Sequence, residues 1–248
     1  MQCTSMTHLD LFSGIGGFAI AAQRLGIKTT QFVEVNPYCQ EILRKNFPGV
    51  AIHGDIRTFE PYEAWDVVTA GFPCQDISSA NPNGAGLQGE RSGLFFEITR
   101  LVRQIRPRFL VLENSTALLN FRGGRDMGTI LWELSCCGYH AEWSAVSGCS
   151  MGAPHMRKRL LIVAYADSID GEIGLALHED NQRPIQAIYD RSSNSPWAKT
   201  PPSFSGVANG VPNRVDRVRA LGNSIIPDIA ELALSRAMRY APLAQEVC

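Results

Sequence analysis

Short apolar runs alternate with stretches of helical periodicity along much of the chain. The runs predict five strands, at residues 8–12, 30–33, 65–70, 109–112 and 160–165. Apolar side chains at helical spacing predict three helices, at residues 18–25, 37–45 and 226–240. Strands that alternate with helices are typical of α/β domains with a mainly parallel sheet, and we expect that architecture here.

The chain changes character after the last predicted strand. Residues 167–213 are polar, rich in Pro, Gly, Ser and Asn, and only weakly periodic. Such a segment predicts a small, loop-dominated lobe rather than a second core. We therefore expect a main domain made of residues 1–166 and 217–248, with residues 167–216 as a small inserted region.

Composition and charge exclude several classes of protein. With 248 residues, 45% of them hydrophobic and 19% charged, the chain has material for one sizeable core and one small lobe. We find no apolar run of roughly 18 residues that would span a bilayer and no secretory pattern at residues 1–8. The seven cysteines lack the paired spacing of a disulfide framework or a zinc site. We expect a cytoplasmic protein with reduced thiols and no metal.

The net charge of −1 does not by itself indicate nucleic-acid binding. A DNA-binding protein of this charge has to concentrate its basic residues on one face. Two clusters permit this, Arg157-Lys158-Arg159 and the group of Arg214, Arg217 and Arg219. Clusters of this size are more often solvated surface, so charge alone does not decide the matter.

Chemically useful residues follow four of the predicted strands. In open α/β sheets, ligands bind beyond the carboxyl ends of the strands. A hydrophobic core explains the strands but not the residues that come after them. The four strand ends are Ser13-Gly14-Ile15-Gly16-Gly17, Glu34, Gly71-Phe72-Pro73-Cys74 and Glu113-Asn114.

The first two strand ends indicate a cofactor site. Glycines at a strand-to-helix turn let the backbone approach a ligand closely, although this loop lacks the full GxGxxG pattern. Glu34, about 20 residues further on, can accept hydrogen bonds from both hydroxyls of a ribose, and Asp55 can receive an adenine amino group. Each acid alone is more typical of a turn or cap. Together with the loop they favour an adenosine-bearing cofactor that need not contain a diphosphate.

Cys74 and Glu113 are the candidate reactive groups. A lone cysteine is usually a small buried hydrophobe, but Cys74 stands in a loop at the edge where ligands bind. A nucleophilic thiol has to ionise, helped by nearby positive charge, for which Arg157 and Arg159 are candidates. Glu113 ends an apolar run, where it is either a structural ion-pair partner or an acid whose pKa is raised by burial.

Five segments of the chain resemble the cytosine-5 DNA methyltransferase family in order and spacing. Two elements depart from the family pattern, Ser115 in place of valine after Glu-Asn and His155 in place of the glutamine of Gln-x-Arg-x-Arg. The segments are residues 10–18 (cofactor loop), Gly71-Phe72-Pro73-Cys74-Gln75 with Ser78 (catalytic loop), Glu113-Asn114-Ser115, residues 152–159 and residues 219–225 (a late Gly-Asn element).

The resemblance implies a Rossmann-like, mostly parallel sheet with helices on both faces, in which residues 167–216 recognise the target. It implies S-adenosylmethionine as cofactor, S-adenosylhomocysteine as its product, and double-stranded DNA as substrate. Cys74 would attack C6 of a flipped-out cytosine while Glu113 holds or protonates N3. Arg159 would contact the base near O2, and Arg157 would position the loop or a phosphate. The implied DNA contacts are Gln75, Ser78, Arg157 and Arg159, and the implied cofactor contacts are Phe12, Ser13, Gly14, Ile15, Gly16, Gly17, Glu34, Val35, Asp55, Ile56, Gly71, Pro73, Asn223 and Ile225.

Other functions stay open at this stage. Relatives that methylate tRNA usually carry Pro-Pro-Cys-Gln, whereas this chain has Phe72 before Pro73. A nucleic-acid-binding module without turnover is a second alternative, and transfer of a different group is a third. The inserted region is short for the family, so target recognition would rely on few base contacts, on a short site or on a partner that supplies the missing surface. The partners considered are a cognate restriction enzyme and an accessory subunit. We expect residues 78–92 to form a loop that closes over DNA.

Overall fold

The computed structural model describes residues 5–73, 92–153, 155–167, 188 and 213–239. Most of the predicted inserted region and of the predicted closing loop lies outside these residues. The described strands are β1 (Thr7–Leu11), β2 (Lys28–Val33), β3 (Ala51–His53), β4 (Val67–Gly71), β5 (Phe109–Ser115), β6 (Tyr139–Ser147) and β7 (Lys158–Ala166). The helices are α1 (Gly17–Arg24), α2 (Pro37–Asn46), α3 (Phe95–Ile105), α4 (Arg125–Cys136), α5 (Arg214–Asn223) and α6 (Pro227–Met238).

All seven strands form one sheet in the order β3-β2-β1-β4-β5-β7-β6. The pairs from β3 to β5 are parallel, and β7 is antiparallel to both of its neighbours. The sheet is therefore mostly parallel, as predicted. Because β7 runs in the opposite direction, it begins at the edge where the other strands end.

Helices cover both faces of the sheet. Because side chains alternate along each strand, each strand packs against the helices of both faces. On β5, Leu110 and Leu112 pack in the cluster that includes α3 and α4 residues. Phe109 and Val111 point the other way, into the cluster formed with α1 and α6. These four side chains have no exposed surface, which is typical of a central strand in a doubly covered sheet.

Helix α6 belongs to this core. Arg24 at the end of α1 forms ion pairs with Asp228 (3.0 Å) and Glu231 (3.1 Å) of α6. The apolar face of α6, including Ile229 and Ala233, is buried in the cluster shared with β5 and β7. Among the described residues, no helix is long and apolar enough to cross a membrane.

Several predicted boundaries were wrong. The first strand ends at Leu11 rather than Phe12, because Phe12 has a left-handed φ of 54° that no strand residue adopts. Trp65 precedes β4 and packs in the core without belonging to the strand. β5 extends to Ser115, three residues beyond the predicted end.

Five elements were not predicted. β3 has only three residues, and β6 is an edge strand with polar positions on both faces. Neither has the apolar run by which strands were recognised. The remaining three are the helices α3, α4 and α5.

Candidate active site

A cleft of about 310 Å³ opens beyond the carboxyl ends of β1, β2 and β3. It lies beside the boundary between β1 and β4, where the strand order reverses and ligands bind in folds of this type. Two carboxylates and several apolar side chains line it. The lining residues are Phe12, Val33, Glu34, Val35, Gly54, Asp55, Ile56, Arg57 and Leu94.

The loop after β1 depends on two glycines for different reasons. Gly16 has a φ of 91°, and a Cβ there would lie 2.6 Å from the ring of Phe47. Gly17 has an ordinary φ, but its Cβ would lie 2.7 Å from the backbone oxygen of Ile225. The hydroxyl of Ser13 donates to the carbonyl of Asp10 at 2.6 Å and tightens the turn. At residues 16 and 17 the loop therefore has space for bare backbone only, because neighbouring residues of the protein pack against it.

Glu34 links this loop to the end of β2. Its carboxylate accepts hydrogen bonds from the backbone N–H groups of Gly14 and Asn36, both at 2.7 Å. Burial raises the pKa of Glu34, and these backbone donors oppose the rise. The side chain is 8% exposed at the wall of the cleft, so its remaining lone pairs are placed to accept from a ligand.

Asp55 and apolar side chains also line the cleft. Hydrogen bonds from Arg57 hold the pKa of the Asp55 carboxyl below its usual range. Val35, with 69% of its surface exposed, and Leu94 supply apolar surface to the same cleft. Two carboxylates and apolar side chains in one cleft fit a nucleoside, whose hydroxyl and amino groups are donors and whose base is flat and apolar on its faces.

Glu113 lies in β5 opposite Gly71 of β4. A Cβ at Gly71 would come within 3.2 Å of Glu113 Oε2, so glycine leaves space for the carboxylate. Arg159 Nε lies 2.5 Å from Glu113 Oε1. Burial raises the pKa of Glu113 to about 7, and the charge of Arg159 opposes the rise. The side chain can therefore exist with or without its proton near neutral pH.

The reversed direction of β7 brings Arg159 to this place. Arg159 pairs in register with Ser115, two residues beyond Glu113, and its side chain points to the same face as Glu113. Arg157, just before β7, accepts a hydrogen bond at its carbonyl from the N–H of Gly148 (2.9 Å). A Cβ at Gly148 would lie 2.5 Å from the His155 ring, so the histidine packs closely against this turn.

Asn114 connects Glu113 to the segment that leads to Cys74. Its side-chain N–H donates to the carbonyl of Phe72 at 3.3 Å, and its oxygen accepts from the N–H of Ser115 at 2.7 Å. Ser115 in turn accepts from the N–H of Ala117 (3.3 Å) and caps the following 3-10 turn. The serine that departs from the family pattern thus has a local structural role.

The structure groups some of the predicted site residues in one cleft, and the others lie elsewhere or outside the described residues. Phe12, Glu34, Val35, Asp55 and Ile56 line one cleft, and Ile225 packs on the glycine loop. Asn223 is exposed at the end of α5. Pro73 is the last residue described before the catalytic loop, and Cys74, Gln75 and Ser78 lie outside the described residues.

Four cleft residues were not predicted as site residues, namely Val33, Gly54, Arg57 and Leu94. Leu94 is far from the other lining residues in sequence, and no local pattern signals it. Arg57 does have a signal, because a side chain two residues after an acidic cap can pair with it.

A buried polar chain beneath the glycine loop was also not predicted. The ring of His8 is hydrogen-bonded through Nδ1 to the hydroxyl of Thr29 (2.9 Å) and through Nε2 to the hydroxyl of Thr69 (2.8 Å). The Thr69 hydroxyl donates to the Asp10 carboxylate at 2.6 Å. Burial lowers the pKa of His8 to about 3 and raises that of Asp10 to about 7. Because the Thr69 hydroxyl donates to Asp10, it has to accept from His8, which fixes the tautomer of the neutral ring.

Within the part of the chain that the structure describes, no group of three or more His, Cys, Asp or Glu side chains is arranged to hold a metal ion.

Comparison with solved structures supports the fold. The S. pombe Dnmt2 methyltransferase superposes with a TM-score of 0.62 at 17% identity, covering 94% of this chain and 98% of that one. A structure described as a prophage-encoded DNA modification methyltransferase from E. coli gives a TM-score of 0.57 at 23% identity, over 67% of this chain and 48% of that one.

Sequence relatives point to one family. The type II methyltransferase M2.BsuMI of Bacillus subtilis (strain 168) is 36% identical over 208 residues, which are 82% of this chain and 50% of the relative. M.HpaII of Haemophilus parainfluenzae is 38% identical over 169 residues, 65% of this chain and 46% of the relative. The chain thus spans about half the length of these curated relatives. The profile of the C-5 cytosine-specific DNA methylase family matches residues 6–203, and the chain belongs to that family.

Proposed function

We propose that this protein is an S-adenosylmethionine-dependent DNA (cytosine-5-)-methyltransferase. The observation that carries the proposal is the ion pair between the buried Glu113 and the partly buried Arg159, beside Gly71 and next to the segment that leads to Cys74. An acid with a pKa near 7, an arginine and a cysteine on the adjoining segment are the groups that addition to a pyrimidine ring requires.

The cleft beyond β1, β2 and β3 fits the adenosine part of the cofactor. Glu34 would accept from the ribose hydroxyls and Asp55 from the adenine amino group, with Val35 and Leu94 against the base. Gly16 and Gly17 let the loop pack against Phe47 and Ile225, which holds its backbone beside the cleft where the rest of the cofactor would lie. When bound, S-adenosylmethionine supplies an electrophilic methyl group on a sulfonium.

Cys74 and Glu113 would act together on the target cytosine. The base has to leave the stack, because C5 and C6 are inaccessible inside a duplex. The Cys74 thiolate adds to C6, and Glu113 holds or protonates N3, which offsets the charge that develops on the ring. Transfer of the sulfonium methyl group to C5 would leave S-adenosylhomocysteine, and loss of the C5 proton to a base would then release the Cys74 thiolate by elimination.

Arg159 orients Glu113 in this proposal and contacts the base near O2. An arginine held against a buried carboxylate keeps its guanidinium in one position, with N–H groups left to donate to a ring oxygen. Arg157 would position the adjoining turn or a DNA phosphate. Gln75 and Ser78 are the proposed DNA contacts on the catalytic loop.

The test is methyl transfer from labelled S-adenosylmethionine to duplex DNA of mixed sequence, followed by digestion to nucleosides. We expect label in 5-methylcytosine with the wild type and with Cys136→Ala, a control that removes an exposed thiol at the end of α4. Cys74→Ala is expected to abolish the label. Label that persists in Cys74→Ala would refute the assignment of Cys74 as the nucleophile. Label that enters tRNA but not DNA would refute the assignment of DNA as the substrate.

A further inference from the structure

The carboxylate of Asp55 is held on one side by a single residue, Arg57. Its Oδ1 accepts from the backbone N–H and from Nε of Arg57, both at 3.0 Å. Its Oδ2 accepts from Nη2 at 2.6 Å and more weakly from Nε at 3.1 Å. The guanidinium and the carboxylate thus form a side-on fork, which fixes the plane of the carboxylate.

The local backbone keeps the two residues in this arrangement. Asp55 caps the 3-10 turn Ile56–Thr58, and Arg57 is the second residue of that turn. The Thr58 hydroxyl donates to the Asp55 carbonyl at 3.1 Å and lies 2.9 Å from His53 Nε2. The orientation of the pair is therefore set by the turn and not by side-chain packing alone.

The pattern of contacts leaves one acceptor direction open. A carboxylate offers about four lone-pair directions, two on each oxygen. Arg57 supplies three N–H groups for these four directions: its backbone N–H donates to Oδ1, Nη2–H donates to Oδ2, and the single Nε–H is shared between the two oxygens at 3.0 and 3.1 Å. Asp55 and Arg57 both line the cleft, and 31% of the Asp55 side chain is exposed there.

This pair adds little to folding. Exposed ion pairs contribute little to stability because water screens them, and 62% of the Arg57 side chain is exposed. The pair has a larger effect on ligand binding. An ionised carboxylate with one free lone-pair direction accepts a hydrogen bond from an N–H group of the ligand and repels a ligand oxygen. The hydrogen bonds from Arg57 favour the ionised form of Asp55.

We propose that Arg57 is a positioning residue that aims the free lone pair of Asp55 at the exocyclic amino group of the purine, so that the cleft accepts 6-aminopurine ligands and rejects 6-oxopurine ligands. The proposal rests on the proposed function, since it concerns the same cofactor cleft. It adds a residue that acts on ligand selectivity through Asp55.

The experiment measures binding by isothermal titration calorimetry with two ligands, S-adenosylhomocysteine and its 6-oxo counterpart S-inosylhomocysteine. The proteins are the wild type, Arg57→Gln, Arg57→Lys and the control Arg44→Gln, which removes an exposed arginine that bonds to Gln40 on α2. We expect the wild type and the control to prefer the adenine ligand by about tenfold or more, the effect of one hydrogen bond to a charged group.

In Arg57→Gln we expect this preference to fall by about fivefold, through weaker binding of the adenine ligand alone. Arg57→Lys keeps the positive charge but cannot form the fork. Its preference for the adenine ligand is expected to lie between those of the wild type and Arg57→Gln. An unchanged preference in Arg57→Gln, or an equal loss of affinity for both ligands, would overturn the positioning role. A wild type that binds neither ligand would instead overturn the proposed function, so the two failures are distinguishable.

Discussion

Replacing Glu113 by glutamine separates the free energy of burying this carboxylate from its role in the reaction. Glutamine has nearly the same shape as protonated glutamic acid but cannot ionise. Burial raises the pKa of Glu113 from its ordinary 4.5 to about 7, even with Arg159 nearby. This difference of about 2.5 corresponds to about 3 kcal/mol of unfolding free energy, at about 1.4 kcal/mol for each pKa unit.

The sign follows from where the proton is bound. Between pH 4.5 and 7 the unfolded chain releases the Glu113 proton while the folded chain keeps it. The unfolding free energy of the wild type therefore decreases as pH rises through this window, and the full penalty is present above pH 7. Glu113→Gln does not carry this penalty, because glutamine cannot ionise. We expect equal stability of the two proteins below pH 4.5 and a variant more stable by up to about 3 kcal/mol at pH 8.

Urea unfolding followed by circular dichroism at pH 4.5, 6 and 8 measures this difference. Glu41→Gln, the same change at an exposed position on α2, reports the effect of removing one surface charge. The same variants are assayed for methyl transfer, where Glu113→Gln is expected to lose about 100-fold or more. Two results would refute the reasoning: a stability difference that does not depend on pH, or a variant that is less stable than the wild type at pH 8. Either result would mean that Arg159 fully stabilises the ionised form of Glu113.

Further predictions concern local packing and capping. Gly17→Ala is expected to destabilise the fold by about 1–3 kcal/mol, because the added Cβ would meet the backbone of Ile225. Gly128→Ala in α4 is expected to stabilise the fold by about 0.5–1 kcal/mol, because the added Cβ would meet nothing within 4 Å. Thermal unfolding of both variants checks the contrast, and a loss of equal size in the two would contradict it. Ser115→Ala is expected to cost about 1 kcal/mol through loss of the cap, and Ser115→Asn to restore most of it. Urea titration measures both, and an Asn variant as unstable as the Ala variant would count against capping.

The sequence predicted the elements that carry strong local signals. The runs that became β5 and β7 are nearly continuous apolar segments, as expected for strands buried on both faces. The runs that became β1 and β2 also contain the buried polar residues His8, Asp10 and Gln31. α2 began at the predicted Pro37, where Asn36 caps the first turn. β6 escaped prediction because an edge strand with one solvated side carries a mixed pattern, and its stability comes from pairing with β7.

The site shows the same division between local and long-range information. The glycine loop, Glu34, Asp55 and Glu113 could be recognised because parallel strands place their carboxyl ends at one edge. The sequence by itself thus determined which chemical groups meet there and in what order along the chain. It did not determine their distances, since the order of the strands in the sheet is not written in any local pattern.

Tertiary structure decided which groups became partners. The reversed direction of β7 places Arg159 against Glu113, 46 residues earlier in the chain, and burial of that pair sets the pKa of the acid. The close approach of Ile225 explains why residue 17 is glycine, although its φ is ordinary. Both effects depend on distances between elements far apart in sequence, and packing of the whole sheet and its helices fixes those distances.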